Sequence, residues 1–321
     1  MATSPRGIRG KSGERALRVG LAGLGRHGAR YARHLLAGDV PGAALAAVHR
    51  RDREEGRRFA ERYGLAFHDT LEGLVADEGV EAVVAVLPPS LHPLAVELAA
   101  GAGKPILVEK PLAPSARGAR SACAAARRAG IVAMVAQTLR YDATVRAVRA
   151  RLAEIGPLQS VAVGLRYSPA GRGWIHDARE GGLLANIGVH GTDLIRHLTG
   201  CEVAAVRALE AAPGVIAALR LEPGGVPAAL EVLTGRRSGA IELVGRSGRI
   251  LADYVARRAW LDTPAGCEPL PIGEPEPTLP AVLADFAAAA RGLRPPAVPI
   301  EEGLAAVEIV ERVAAAAKEP L

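Results

Sequence analysis

From Arg18 to about Val135, short apolar runs alternate with amphipathic stretches. The runs at 18–22, 44–49, 81–87, 105–108 and 131–135 are bounded by turn formers and predict strands. Between them, 26–37, 52–63, 70–76, 92–102 and 115–129 carry helix formers with apolar residues at helical spacing. That alternation predicts a parallel sheet wrapped by crossover helices, a doubly wound α/β domain over 17–137. Beyond 138 the rhythm changes. A helix at 143–154, a strand at 158–167 and a helix at 182–199 precede five strand patterns at 203–210, 215–221, 228–233, 240–244 and 249–254. Gly- and Pro-containing turns separate those strands, so 138–321 reads as an α+β domain with a large, mostly antiparallel open sheet. A Pro-rich stretch, 264–280, leads to helices at 281–291 and 301–317, and 1–16 reads as a loose basic extension.

Composition changes this picture little. The chain is 49% hydrophobic and 23% charged, which is ordinary for a globular protein and excludes wholesale disorder. A net charge of +6 would suggest nucleic acid if the cations were clustered. Acids interleave with them, as in Arg51-Asp52-Arg53-Glu54-Glu55, and no aromatics sit there to stack on bases, so no nucleic-acid partner is expected. No apolar run approaches a membrane span, and the N-terminus lacks the apolar core of a secretory signal. Cys123, Cys201 and Cys267 are odd in number and widely spaced, the pattern of reduced cytoplasmic thiols without disulfide or zinc knuckle.

Only four of the 40 cations are lysines: Lys11, Lys104, Lys110 and Lys318. A sequence that writes Arg for plain positive charge keeps Lys where a proton must be shared or released.

The first strand runs into Gly23-Leu24-Gly25-Arg26-His27-Gly28 and then a helix, the GxGxxG dinucleotide fingerprint in its required context. Gly23 permits the tight turn, Gly25 lets the backbone approach a pyrophosphate, and Gly28 lets helix and strand pack closely. At the end of the second strand an acid would accept a ribose 2′-hydroxyl and a cation would pair with a 2′-phosphate. Arg50 occupies that place, followed by Arg51, which favours NADP(H) over NAD(H). In the competing reading Arg50 points to solvent and Asp52 takes the hydroxyl.

Two more segments carry chemistry. The 105–108 strand ends in Glu109-Lys110-Pro111, at the carboxyl edge where open α/β sheets bind ligands. In the 182–199 helix, Asn186, His190, Asp193 and His197 share one face at spacings of four, three and four, which reads either as a solvated stripe or as an imidazole–carboxylate site. Metal binding there is disfavoured because Asn is a poor ligand and no cysteine or further carboxylate joins the cluster. Gly188 and Gly191 in mid-helix imply that something approaches the backbone closely.

These motifs together resemble the Gfo/Idh/MocA oxidoreductases. The resemblance rests on 23–28, on Glu109-Lys110-Pro111 preceded by Gly103-Lys104-Pro105, and on the Gly181-Gly182 helix with His190 and Asp193. Weaker matches are 88–92, Arg140-Tyr141, 241–248 and Glu301-Glu302-Gly303-Leu304. It implies a Rossmann domain, a second domain whose sheet mediates homodimers or homotetramers, and hydride transfer between nicotinamide and a hydroxyl-bearing carbon of a sugar or polyol. By that carry-over Lys110 hydrogen-bonds the reacting oxygen, His190 exchanges its proton and Asp193 positions the pair. Arg26, His27, Pro88, His92, Glu109 and Lys110 join the cofactor site, and Lys110, Arg140, Tyr167, Trp174, Asn186 and His190 line the substrate pocket. Asn186 departs from the family's Asp; it can orient a hydroxyl but adds no negative charge to raise the His190 pKa. Two alternatives stay open: a non-catalytic NADP sensor, and a glycosidase that transiently oxidises its sugar with retained NAD.

Overall fold

Strand β1 (Leu17–Ala22) is buried along almost its whole length, as a central strand covered on both faces must be. In the computed structural model, which describes residues 16–168, 177–211 and 213–319, it is the middle of a six-stranded parallel sheet. The strands β2 (Ala43–His49), β3 (Ala66–His68), β4 (Ala82–Ala85), β5 (Ile106–Val108) and β6 (Ala133–Val135) complete the order β3-β2-β1-β4-β5-β6. Helices α1 (Gly28–Ala37), α2 (Arg53–Tyr63), α3 (Leu71–Ala76), α4 (His92–Gly101) and α5 (Ala116–Ala129) connect them. The order reverses direction between β1 and β4, the switch point at which such sheets bind nucleotides. Strand β3 was not anticipated, because three half-exposed residues carry no periodicity.

After helix α6 (Ala143–Arg151), strand β7 (Leu158–Tyr167) and helix α7 (Val189–Thr199) come β8 (Glu202–Glu210), β9 (Gly214–Glu222), β10 (Val226–Thr234), β11 (Ser238–Gly245), β12 (Gly248–Asp253), β13 (Arg258–Thr263) and β14 (Gly266–Pro269). They form an eight-stranded sheet, β14-β13-β12-β11-β7-β10-β9-β8, antiparallel except for the β7–β10 pair. Burial alternates strictly along β9, the signature of a sheet with one packed face and one exposed face. The packed face carries Val163, Leu165, Leu219, Leu230, Leu243 and Ile250.

The chain divides into two units. One holds 16–112, Gly118–Ala136 and Pro277–Glu301; the other holds Ala113–Arg117, Gln137–Glu276 and 302–319. Helix α8 (Thr278–Ala290), which follows the second sheet in sequence, thus belongs with the first: it packs on α1 and β2 and buries Leu279, Val282, Leu283 and Phe286. Helix α9 (Ile300–Ala316) returns to the second unit and lends Ile309 and Val313 to its core.

Lys104 has a structural duty. Its Nζ donates to the carbonyls of Val75 and Asp77 at 2.6 and 2.7 Å, closing the C-terminus of α3 with a compact cation. No helix among the described residues is long and apolar enough to cross a membrane.

Candidate functional site

The glycines of the first turn are required by their surroundings. Gly23 has φ +94°, and a Cβ there would meet the Val86 carbonyl oxygen at 2.2 Å. A Cβ on Gly28 would lie 1.8 Å from the Gly23 oxygen, so any larger residue would push α1 off the turn. Gly25 is different: a Cβ there would enter open space. Helix α1 begins with no side-chain cap and no acid in its first turn, leaving its positive end to an outside anion. These features fit a dinucleotide pyrophosphate over Gly25.

At the carboxyl end of β2, Arg50 turns back toward this loop. Its Nη1 donates to the Leu24 carbonyl at 2.7 Å, and its Nη2 pairs with the Glu55 carboxylate. Asp52, the competing candidate for the ribose, is the N-cap of α2 and accepts from the Glu55 backbone N–H at 3.0 Å. Arg51 is exposed.

Glu109 ties β5 to the glycine turn. Its carboxylate is 6% exposed and accepts from His27 Nε2 at 2.7 Å, Tyr31 Oη at 2.6 Å and the Lys110 backbone N–H at 2.9 Å. Burial pushes this carboxyl up, but the hydrogen bond and charge of His27, the Lys110 charge and the Tyr31 hydroxyl outweigh it and hold the group at about 2. Burial and the Glu109 charge together raise the Tyr31 phenol well above its ordinary value, so it stays a donor. Lys110 follows directly, half-buried at the strand's carboxyl end. Buried His92 donates from Nδ1 to the Pro111 carbonyl at 2.8 Å, and Pro88 caps the short turn that leads into α4.

In the second unit the polar stripe is not a solvated face. Asn186 and Asp193 are each 1% exposed. A π-helical stretch, Leu184–Gly188, precedes α7, so the predicted single helix changes pitch at the stripe, a feature that recurs at functional sites. The Asn186 amide donates to the carbonyls of Glu180 and Gly182 at 2.9 and 2.8 Å, holding the chain that enters this stretch. His190 is half-buried at the start of α7. The close approach at Gly191 comes from the protein itself: a Cβ there would meet Leu230 at 2.4 Å and Leu165 at 3.2 Å.

Asp193 accepts from Arg140 Nε at 3.1 and 3.0 Å on its two oxygens and from Nη2 at 2.6 Å. The same Nη2 donates to Glu302 at 2.5 Å, and Glu302 accepts from Arg196 Nη1 at 2.7 Å. Arg196 in turn grips Glu202 through two donors. Burial raises the Asp193 carboxyl above the ordinary range; Arg140 opposes the rise and Glu302 adds to it. Burial and the charges of Arg140 and Arg149 lower His197 to about 4, which keeps it neutral at pH 7. Tyr167 packs against the core of the second sheet. Trp174 lies outside the described residues.

Sequence reasoning passed over four participants: Tyr31, Glu55, Arg196 and Glu302. Glu302 lies in the Glu301-Glu302-Gly303-Leu304 match, but its partners, like those of the other three, are visible only through contacts in the folded chain. Among the described residues no group of three or more His, Cys, Asp or Glu side chains is arranged to hold a metal ion.

Comparison with known proteins agrees with this architecture. Residues 17–137 match the Gfo/Idh/MocA model, described as an oxidoreductase family with an NAD-binding Rossmann fold. Over 300 residues the chain is 31% identical to dTDP-3,4-didehydro-2,6-dideoxy-alpha-D-glucose 3-reductase of Streptomyces violaceoruber, covering 86% of each protein. It is 29% identical over 198 residues to scyllo-inositol 2-dehydrogenase (NAD(+)) of Bacillus subtilis, a match spanning 60% of this chain and little more than half, 57%, of that enzyme. The aldose-aldose oxidoreductase of Caulobacter crescentus, solved with glycerol, shares the fold at a TM-score of 0.82 and 22% identity, over 95% of this chain and 98% of that one. The chain belongs to the Gfo/Idh/MocA oxidoreductase family.

Proposed function

We propose that this protein is an NADP(H)-preferring oxidoreductase that moves a hydride to or from a hydroxyl or keto carbon of a sugar, keto-sugar or polyol. The observation that carries the reading is Glu109: by binding His27 and Tyr31 it fixes the end of β5 against the dinucleotide turn and so fixes Lys110 at the nucleotide edge of the sheet. When bound, the nicotinamide supplies the hydride acceptor or donor. Lys110 hydrogen-bonds the reacting oxygen and stabilises its developing negative charge. His190 takes up or returns the hydroxyl proton, a task suited to an imidazole near neutral pH. Asp193 acts at one remove by holding Arg140, and Asn186 by fixing the chain before His190. Arg50, directed at the glycine turn through Leu24, supports a 2′-phosphate.

The relatives' names support the substrate class, since they are reductases and dehydrogenases of a deoxysugar and a cyclitol. The same reading places the protein in the cytoplasm as a homodimer or homotetramer joined through the second sheet, whose strands expose Leu209, Ile216 and Trp260.

The test is titration with NADPH and NADH followed by a panel of keto-sugars and polyols. Lys110→Met and His190→Ala should each lower kcat by roughly 10²–10⁴-fold while NADPH affinity is retained. Unchanged rates in both variants overturn the reading. Because the Asn186 amide is engaged with backbone carbonyls, NADP sensing is the second reading, and tight NADPH binding with no turnover across the panel would establish it. Turnover of an aryl glycoside without added nucleotide would point instead to the redox-assisted glycosidase.

A further inference from the structure

Around the end of β2 most charges have evident structural employment. Glu54 pairs with Arg58 one turn along α2 at 2.6 Å, Arg53 pairs with Asp69 at 2.9 Å, and Asp52 caps the helix. The Arg50–Glu55 pair is of another kind. It joins a strand end to the first turn of α2, and its guanidinium is anchored a second time, through Nη1, to the Leu24 carbonyl inside the glycine turn. Glu55 stands in the first turn of α2, where its charge suits the helix's positive end, and its carboxylate is spent on a partner outside the helix. Its carboxylate therefore places a negative charge where a nucleotide's 2′ substituent would seek Arg50.

We infer that Glu55 sets the dinucleotide selectivity of this site by competing for Arg50. The inference rests on the reading of Arg50 as the residue that meets the ribose 2′ position. With a 2′-hydroxyl, Arg50 keeps Glu55 as its partner and the site stays neutral. With a 2′-phosphate, the guanidinium must exchange one anion for another, and the released carboxylate, 47% exposed, swings into water. The Leu24 hydrogen bond keeps the guanidinium at the turn during that exchange. Glu55 thus reduces the advantage that Arg50 gives to NADP(H) and keeps NAD(H) admissible. An exposed ion pair of this kind is weak, so the effect is expected to be about fivefold in affinity.

The experiment is calorimetric titration of the full chain at fixed ionic strength with adenosine 2′,5′-bisphosphate and its 3′,5′ isomer, which carry equal charge and differ only in where the phosphate sits. The proteins are the wild type, Glu55→Gln and Arg50→Gln. Glu55→Gln should tighten the 2′,5′ isomer about fivefold and leave the 3′,5′ isomer within about twofold. Arg50→Gln should abolish the preference between the isomers. If Arg50→Gln abolishes it but Glu55→Gln leaves 2′,5′ binding unchanged or weaker, the role of Glu55 is overturned and that of Arg50 stands. Equal tightening of both isomers in Glu55→Gln overturns it as well, since that is a general charge effect. If Arg50→Gln leaves the isomer ratio unchanged, the reading of Arg50 fails and the inference falls with it.

Discussion

Glu109 in the nucleotide-binding unit and Asp193 in the second unit are both buried carboxylates, yet their protonation is pushed in opposite directions. Among the described residues three donors converge on Glu109, an imidazole, a phenol and a backbone N–H, and no second carboxylate shares them. Asp193 has a better single partner, a forked guanidinium, but that guanidinium also serves Glu302 at 2.5 Å. A second carboxylate on the same cation raises the cost of keeping the first ionised. Burial is common to both, so the arrangement of donors and rival anions decides which way a buried acid goes. The two units consequently carry different kinds of stored electrostatics, a satisfied anion in one and a shared cation in the other.

The largest effect should come from breaking the shared cation. Asp193→Ala leaves Arg140 buried with only Glu302 opposite, and such half-removed pairs cost about 3–5 kcal/mol. Chemical denaturation should show the midpoint falling by that equivalent with an unchanged slope. A loss under about 1 kcal/mol would mean that Glu302 alone satisfies Arg140, and the contrast with Glu109 would collapse.

Next comes the acid limb. The folded Glu109 carboxyl sits at about 2 against an ordinary 4.5, so its contribution is fully present above 4.5 and is lost as pH falls from there toward 2. The difference corresponds to about 3 kcal/mol. Asp193 runs the other way: raised in the folded state, it contributes below its unfolded value of 3.8 and loses that contribution as pH rises through its folded value. Glu109→Gln should therefore flatten the fall of stability between pH 4.5 and 2 that denaturation in acid records for the wild type. An acid limb as steep as before would assign it to other carboxylates.

Much of this was legible in the sequence because the first unit is built from local signals. Strands β1, β2 and β4 to β6, the helices between them, and the glycine turn are each written in contiguous residues. The candidate residues of that unit could be named for the same reason, since the turn and the strand end each lie in one short segment. What escaped were relations across the chain. Tyr31 reads as one more apolar residue of α1 until Glu109, 78 positions away, is brought to its hydroxyl. Arg140 reads as a pocket wall, and nothing local tells that its guanidinium also binds Asp193 and Glu302. Strand β14 is exposed at all four positions and offers no alternation, and α8 could not be assigned to the first unit because nothing in its composition says which sheet it covers. The pitch change at Leu184–Gly188 is likewise absent from a pattern drawn with α-helical spacing.

A smaller effect is expected at Gly191, where α7 meets the second sheet. Alanine gains helix propensity of about 1 kcal/mol but places a methyl 2.4 Å from Leu230, and overpacking of this sort costs about 1–3 kcal/mol. Gly191→Ala should be destabilising by about 1 kcal/mol net, read as a lowered Tm. A stabilised variant would show that Leu230 can swing aside, and that the helix carrying Asp193 is less tightly seated than the buried pair requires.

An equally small effect belongs to Asp52, an exposed carboxylate that completes the series. Its oxygen accepts from the Glu55 N–H, so its loss removes one cap from α2, and caps of this type are worth about 1 kcal/mol. Being exposed, it has neither the multiple donors of Glu109 nor the rival anion of Asp193. Its removal should lower stability by that amount without altering the ratio of NADH to NADPH affinity, since a side chain turned onto its own helix is not the ribose acceptor. Asp52→Ala with fluorescence titration of both nucleotides checks this directly. Selective loss of NADH affinity would restore Asp52 as the hydroxyl-binding acid. Arg50 would then be left as the partner of a 2′-phosphate only, with Asp52 reading the 2′-hydroxyl of NADH.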